Sequence, residues 1–455
     1  FHKAIFYAAI FYAFLTLLFF KKTLQLYNVK PWAIIAIQAL LILSTSLTHY
    51  LNADAGFSHI YSLFCITAFV YYSLIYFKTH TPKYIVYIAI LLGFIIILRQ
   101  INVLIILALP FLAGSFQNFK TTCVTTLNYK KQLAIGAILA CCIIAIQCTV
   151  WYLQTGNFIV YSYQGESFDF SNPEFFNILF GYKKGLFVYT PILFLSVISL
   201  VWHLKTKRYY FVLSWLVFFS ILTYVLSSWW SWYYGCSFGL RAYIDYYTLL
   251  FIPLAIWLSN IRLTFAIPIV VVVGGITSYI NIVQTYQYKE YFLHWIDMDK
   301  AKFWELFLKT DDNYRGLLWK IPINENNYNV NKEINLGNVF IDKSISGAPI
   351  LNLPTDSIPN FATVSSIVFQ FDNHFYSTSP TQITTSIREG DHFYYWNKRS
   401  LLQFRETQLN EWHTGKFNFD FPPITNSHNA QIIIIFETTD YDNLNNAKIR
   451  FLSPK

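Results

Sequence analysis

The chain has 455 residues, of which 55% are hydrophobic, 20% aromatic and only 13% charged, with a mean hydropathy of +0.39. A soluble domain carries roughly a quarter of charged residues, so this composition excludes an ordinary soluble enzyme and points to an integral membrane protein. The net charge of +9 is uneven: residues 321–455 hold 10 Lys and Arg against 13 Asp and Glu, leaving 23 against 11 in residues 1–320. The basic excess therefore belongs to the apolar part, where membrane topology accounts for it without nucleic acid.

A spanning helix needs ~20 apolar residues. In chain order the apolar runs predict helices over Ala4–Phe20, Trp32–Tyr50, Ser58–Phe77, Tyr84–Leu98, Val103–Ala113, Leu133–Leu153, Leu186–Leu204, Tyr210–Ser228, Ile244–Asn260 and Leu263–Val283. These make a multi-pass bundle of about nine or ten helices, with the two short ones meeting at a polar elbow, Arg99-Gln100-Ile101-Asn102. The chain opens at Phe1 with no basic segment or small-residue cleavage site ahead of the first helix, so no signal peptide is read. A longer chain whose N-terminus precedes Phe1 is the expectation.

Alternating the loops from a cytoplasmic Lys21–Pro31 puts twelve basic residues inside: Lys21, Lys22, Lys30, Lys78, Lys83, Lys120, Lys130, Lys131, Lys205, Lys207, Arg208 and Arg262. Four fall outside (Arg99, Lys183, Lys184 and Arg241), together with Asp54, Glu166, Asp169, Glu174 and Asp245. That is a positive-inside pattern, and it places the C-terminal region outside the cytoplasm. The resulting expectation is a multi-pass protein of a bacterial inner membrane, with its outer loops and C-terminal domain in the periplasm.

From about Ile321 Asn and Ser become common and the pattern changes to period two. Ser366–Phe371 and Phe417–Phe421 alternate, Ile432–Phe436 is a short apolar run, and turn residues separate such segments. This predicts an all-β sandwich of seven or eight strands. The expected organisation is a polytopic membrane domain over 1–285, a linker with a short helix over 286–320, and a sandwich over 321–455.

Chemistry is sought in the outer loops. Ser227–Tyr247, SSWWSWYYGCSFGLRAYIDYY, has the aromatic density of a membrane interface. Arg241 and Asp245 are four apart, so on an α-helix they share a face and form either a neutralised pair or a functional one. Glu166 and Asp169 lie three apart in an aromatic outer loop and either hold a sugar hydroxyl, serve as a base, or solvate the loop. Asp54 and His59 flank a short outer turn; Asp54 either binds substrate or favours the start of the following helix through the helix dipole. Arg99, Lys183, Lys184 and Arg241 lie on the outer side against the general trend and suit either anionic headgroups or a bound phosphate. Walker and HExxH motifs are missing from the sequence. His49, His59, His203 and His294 lack metal-ligand spacing, so no metal site is assigned and a divalent metal has no support in the residues. The six cysteines form no CxxC pair and read as small core hydrophobes.

Three segments in this order, SHIYSLF (58–64), YSYQGESFDF with LFGYKKGLFVYTP (161–191), and WWSWYYGCSFGLRAYIDYYTLL (229–250), resemble membrane glycosyltransferases of the GT-C superfamily, notably the dolichyl-phosphate-mannose mannosyltransferase-like proteins of Bacteroidetes. The resemblance covers residues 1–285. It implies transfer of a sugar from a polyprenyl-phosphate carrier to an extracytoplasmic glycan, lipid or protein acceptor, usually with inversion. It places the KKG and SFGLR segments, hence Lys183, Lys184 and Arg241 with Arg99 nearby, at the carrier phosphate. Asp54, His59, Glu166, Asp169 and Asp245 are the candidates for sugar or acceptor. In that superfamily the catalytic aspartate follows the first helix, so the first helix, its loop and the base are expected upstream of Phe1. Partners implied are the bilayer, the lipid-linked sugar and an envelope acceptor. Two other readings stand beside this one: a polysaccharide polymerase or ligase using a lipid-linked donor, and a non-enzymatic anchor presenting a glycan-binding sandwich.

Overall fold

The computed structural model describes residues 2–161, 163, 166–290, 292–296, 298–311, 314, 327–341, 346–374, 382–400, 412–421, 424, 429–438 and 442–455. The sandwich boundary expected at residue 321 lies outside these. The chain divides into two compact units. The first comprises Phe1–Ser162, Ser167–Lys289 and His294–Leu308; the second comprises Tyr163–Glu166, Glu290–Leu293 and Lys309–Lys455.

The first unit is helical. It begins with α1 (His2–Leu26), α2 (Pro31–Leu43), α3 (Leu47–Asn52), α4 (His59–Thr79) and α5 (Lys83–Leu98), followed by a 3₁₀ segment, Gln100–Ala108, which runs into α6 (Leu109–Ala113). Then come α7 (Phe116–Asn128), α8 (Lys130–Thr155), α9 (Phe175–Phe180), α10 (Leu186–Tyr189), α11 (Ile192–Lys205) and α12 (Tyr209–Ser227). A second 3₁₀ segment, Arg241–Tyr246, leads into α13 (Tyr247–Leu250) and α14 (Ile252–Asn260). The unit ends with α15 (Leu263–Pro268), a π-helical turn, α16 (Gly274–Lys289) and α17 (Lys300–Leu306).

Several expected runs are broken, each for a local reason. The run over Trp32–Tyr50 divides at Ser44–Ser46. There Thr45 Oγ1 donates to Leu41 O at 2.5 Å and accepts from Leu47 N at 3.2 Å, so a hydroxyl replaces the helix's own partner. The run over Leu186–Leu204 divides at Pro191, which has no N–H to give. At Gly114, with φ +73°, the chain turns through 120° into α7. That helix was not expected, because FQNFKTTCVTTLN is too polar overall to read as an apolar run.

Among the described residues, six helical spans are long and apolar enough to cross a membrane. They differ in place: the window within Arg241–Asn260 is 94% buried and that within Lys130–Thr155 only 6%. Outward faces carry exposed residues such as Phe11, Phe14, Ile138, Ile146 and Val271. Apolar patches of this kind suit lipid rather than water. Cys141, Cys142 and Cys148 lie on α8; among the cysteines only Cys65 is buried, and all six are free thiols. The core placement expected for them is thereby corrected. Lys78 Nζ donates to Leu26 O, so the C-terminal ends of α1 and α4 share one end of the bundle.

In the second unit, eight strands among the described residues form two four-stranded antiparallel sheets: β1 (Tyr328–Ile341), β2 (Pro349–Pro354), β3 (Ser366–His374), β4 (Gln382–Glu389), β5 (His392–Ser400), β6 (Trp412–Asp420), β7 (Gln431–Glu437) and β8 (Asp442–Pro454). The sheet orders are β1-β8-β3-β6 and β2-β7-β4-β5. Of the strand segments read in the sequence, the alternating pair fall on β3 and β6 and the continuous apolar run on β7. Phe369 of β3 meets Phe436 of β7 across the sheets, ring centroids 5.6 Å apart, and both are buried. Phe369→Ala is expected to destabilise this unit by about 3–5 kcal/mol, read as a lower denaturant midpoint for its β-sheet circular dichroism.

Candidate functional site

The deepest charge in the first unit is Asp245, whose side chain is fully buried. Its Oδ2 accepts hydrogen bonds from Arg99 Nη1 at 3.1 Å and Asn102 Nδ2 at 2.6 Å. Its Oδ1 lies 2.9 Å from His59 Nδ1. Arg99 Nη1 also touches the imidazole, 2.6 Å from Nδ1 and 3.2 Å from Nε2. Asn102 is held in turn, donating to Ser62 Oγ at 2.7 Å and accepting from Tyr246 Oη at 3.0 Å.

Three chain breaks supply these groups: the start of α4, the elbow after α5, and the 3₁₀ turn before α13. The last explains a difference from expectation. In a 3₁₀ turn residues i and i+3 eclipse, while i+4 points about a third of a turn away. Arg241 and Asp245 therefore do not share a face, and Arg241 is not among the groups bonded to Asp245.

Arg241 faces elsewhere. Its guanidinium carbon lies 5.1 Å from the Phe57 ring centroid, and a Cβ placed on Gly235 would lie 3.9 Å from its Nη2. The same glycine receives Lys184: the buried Nζ donates to Gly235 O and, at 2.7 Å, to Ser237 Oγ. Burial holds the Lys184 ammonium well below its ordinary pKa, and the Arg241 guanidinium pushes it further down. Two cations thus meet at one turn. The turn is shaped for them by left-handed backbone at Tyr234 and Gly235, φ 57° and 63°, a conformation that glycine adopts without strain.

The KKG segment is equally constrained. Gly185 N bonds Gly181 O at 2.6 Å, and a Cβ on Gly185 would lie 2.6 Å from that backbone. Lys184 goes inward, its Nζ 5.9 Å from the Trp295 ring centroid, and Lys183 places its Nζ 4.6 Å from that of Tyr233, a ring 6.3 Å from Trp295.

Asp54 does not act through the hydroxyl-and-backbone geometry of a helix cap, since α4 has no side-chain cap. It bonds His49 Nε2 at 2.8 Å. His49 is almost fully buried, packed edge-on against Tyr50 and Tyr288 with Phe238 also beside it, whereas the Asp54 side chain is one-third exposed. His49 Nδ1 has no hydrogen-bond partner. Phe57 N donates to Asp54 O at 3.1 Å, so one short turn carries the carboxylate, the ring under Arg241, and His59. Tyr50 senses both sides: burial raises its pKa, Arg241 lowers it and Asp54 raises it again.

The outer-loop carboxylates separate. Asp169 builds its own turn, its Oδ1 accepting from Ser171 N and its Oδ2 from Asn172 Nδ2, both at 2.9 Å; these bonds, led by that to Asn172, lower its pKa. Its backbone N donates to Ser228 O at 2.7 Å, tying this loop to the end of α12. Glu166 belongs to the second unit. The structure therefore brings Asp54, His59, Arg99, Lys184, Arg241 and Asp245 to one region, with Lys183 on the other side of the KKG turn. Among the described residues no three His, Cys, Asp or Glu side chains converge as a metal site.

No family model, curated protein or solved structure matches this chain.

Sequence reasoning missed His49, Asn102, Phe57 and Ser237. The one available signal was Asn102 inside the polar elbow. His49 and Asp54 are five apart, a spacing that meets only because α3 ends between them. Asp245→Asn leaves Arg99 buried without its counter-charge and is expected to cost about 3–5 kcal/mol, measured by unfolding in detergent. Adding Arg99→Gln should recover part of that loss; a double variant showing the plain sum of both losses would mean the two are uncoupled.

Proposed function

We propose that the first unit transfers a sugar from a polyprenyl-phosphate carrier to an acceptor hydroxyl, in the manner of the GT-C enzymes it resembles. The observation that carries this reading is the meeting of buried Lys184 with Arg241 at the Gly235 turn, across Phe57 from the partly exposed Asp54. Positive groups set close together in a low-dielectric site favour an anion beside them. A guanidinium and an ammonium together suit a phosphate leaving group, one through paired donors and the other as a point charge.

In the reaction the acceptor oxygen bonds the anomeric carbon as the bond from that carbon to the phosphate oxygen breaks. Lys184 and Arg241 hold the charge that grows on the departing phosphate. Asp54, oriented by His49, accepts the hydroxyl proton. Asp245 takes no direct part; it neutralises Arg99 and fixes the elbow, His59 and the 3₁₀ turn that presents Arg241.

Arg241→Gln should lower kcat/KM for a lipid-linked monosaccharide by about 10²–10³-fold, assayed in membranes with a labelled donor. Transfer at the wild-type rate by this variant would remove the phosphate role. Asp54→Asn should lower kcat by ~10²–10⁴-fold at unchanged donor KM; if it does not, the base lies elsewhere. A requirement for an oligosaccharide on the carrier would instead indicate a polymerase or ligase.

The lowered pKa of Lys184 sets a pH dependence. As pH rises through that depressed value the ammonium loses its proton, so donor KM should increase with pH. A bound phosphate counters this by favouring the protonated form. Lys184→Arg, whose guanidinium stays charged, should flatten the profile.

A further inference from the structure

On the other side of the KKG turn lies a cavity of about 680 Å³, within the ~300–1,000 Å³ range of small-molecule sites. Its walls include the rings of Phe176, Phe180, Tyr182 and Trp232, and its rim carries Asn177, Lys183, Asp299 and Lys300. We infer that this cavity is a saccharide-binding subsite that seats the acceptor glycan, stacking a sugar ring on Trp232 and Tyr182. The assignment of the glycan as acceptor rests on the transferase reading above; the binding of a saccharide does not.

The lining selects the ligand class. An isoprenoid chain calls for aliphatic walls, yet only Val188 and Met298 of the lining are aliphatic. A bare phosphate calls for one sign of charge, yet Asp299 shares the rim with Lys183 and Lys300. Donors and acceptors of both signs around flat aromatic faces match a neutral polyhydroxylated ligand, whose ring has an apolar face and whose edge has hydroxyls.

The walls are also held in place. Trp304 Nε1 donates to Tyr182 Oη at 3.3 Å, and the Tyr182 ring lies 5.3 Å from that of buried Phe303. Tyr189 Oη donates to Tyr182 O at 2.8 Å. Met298 closes one side and is itself buried. Asp299 caps α17, its Oδ1 accepting from Lys302 N at 2.8 Å, so its carboxylate stays at the rim. Of the two lysines in this turn, Lys184 bonds Gly235 O and Ser237 Oγ, and Lys183 edges the cavity.

The test is saturation-transfer NMR on the full chain in detergent with maltose, lactose and an α-linked mannobiose. At least one disaccharide should receive saturation from the wild type. Trp232→Ala and Tyr182→Ala should weaken that binding by about tenfold, Trp232→Phe should keep most of it, and Arg241→Gln should leave it unchanged. In the transfer assay Trp232→Ala should raise acceptor KM while donor KM stays constant. Absence of saturation for all three sugars, equal binding by wild type and Trp232→Ala, or displacement of the sugar by undecaprenyl phosphate in the Arg241→Gln protein would each overturn the proposal. Sugar binding lost in Trp232→Ala beside unimpaired transfer by Arg241→Gln would sink the transferase mechanism and leave the subsite standing. The reverse pair of results would sink the subsite alone.

Discussion

The arrangement at this end of the bundle depends on one buried charge. Asp245 sits within a span whose apolar window is 94% buried, where an unpaired carboxylate is untenable. Its solvation is supplied by Arg99, Asn102 and His59. His59 comes from the start of α4 and both Arg99 and Asn102 from the elbow after α5, so satisfying one carboxylate draws these two places to the turn before α13 that carries it. The elbow itself is a departure from helix at Arg99, whose backbone is extended with φ −158°. Straightening it would withdraw both Arg99 and Asn102. Local backbone irregularity and buried charge therefore sustain each other, which is how membrane proteins tolerate non-helical backbone at depth.

That frame separates two kinds of cation that charge counting treats alike. Arg99 has its counter-ion in Asp245. Lys184 has neutral oxygens, those of Gly235 and Ser237, and another cation beside it. Hydrogen bonds to a carbonyl and a hydroxyl orient an ammonium without cancelling its charge. The first arrangement holds a fold together. The second preserves positive potential in a confined place, as binding an anion requires.

Much of this was legible in the sequence, and the limits have physical causes. Apolar length was enough for the long spans, because a bilayer sets a minimum. Period-two alternation was enough to mark β3 and β6 as strands. The charge census put Arg99, Lys183, Lys184, Arg241, Asp54, Glu166, Asp169, Glu174 and Asp245 outside; of these Arg99 and Asp245 bond each other, Lys184 and Arg241 adjoin Gly235, and Asp169 builds its own turn. Helix breaks were legible only where proline or a polar elbow marked them; the hydroxyl-driven break at Ser44–Ser46 reads as apolar helix. Pairing was the least legible. The i,i+4 rule assumes α-helix, and a 3₁₀ turn at Arg241–Tyr246 sends Asp245 to Arg99, 146 residues away. Likewise His49 meets Asp54 only through a helix end, which no periodicity encodes.

The KKG turn joins these levels. Backbone meets backbone at both of its glycines: a Cβ on Gly185 would lie 2.6 Å from Gly181, and one on Gly181 would lie 2.6 Å from Asn177 O. Lysine stems usually seek water, yet Lys184 runs inward from this turn to Gly235 O and Ser237 Oγ beside Arg241, while Lys183 lines the aromatic cavity. The two ammoniums remain neighbours: Lys183 Nζ lies 4.6 Å from the Tyr233 ring, Tyr233 lies 6.3 Å from Trp295, and Trp295 lies 5.9 Å from Lys184 Nζ. A pair of adjacent, chemically identical residues thus becomes one buried charge and one cavity-lining charge, and the cation site and the ring-lined cavity share a single turn.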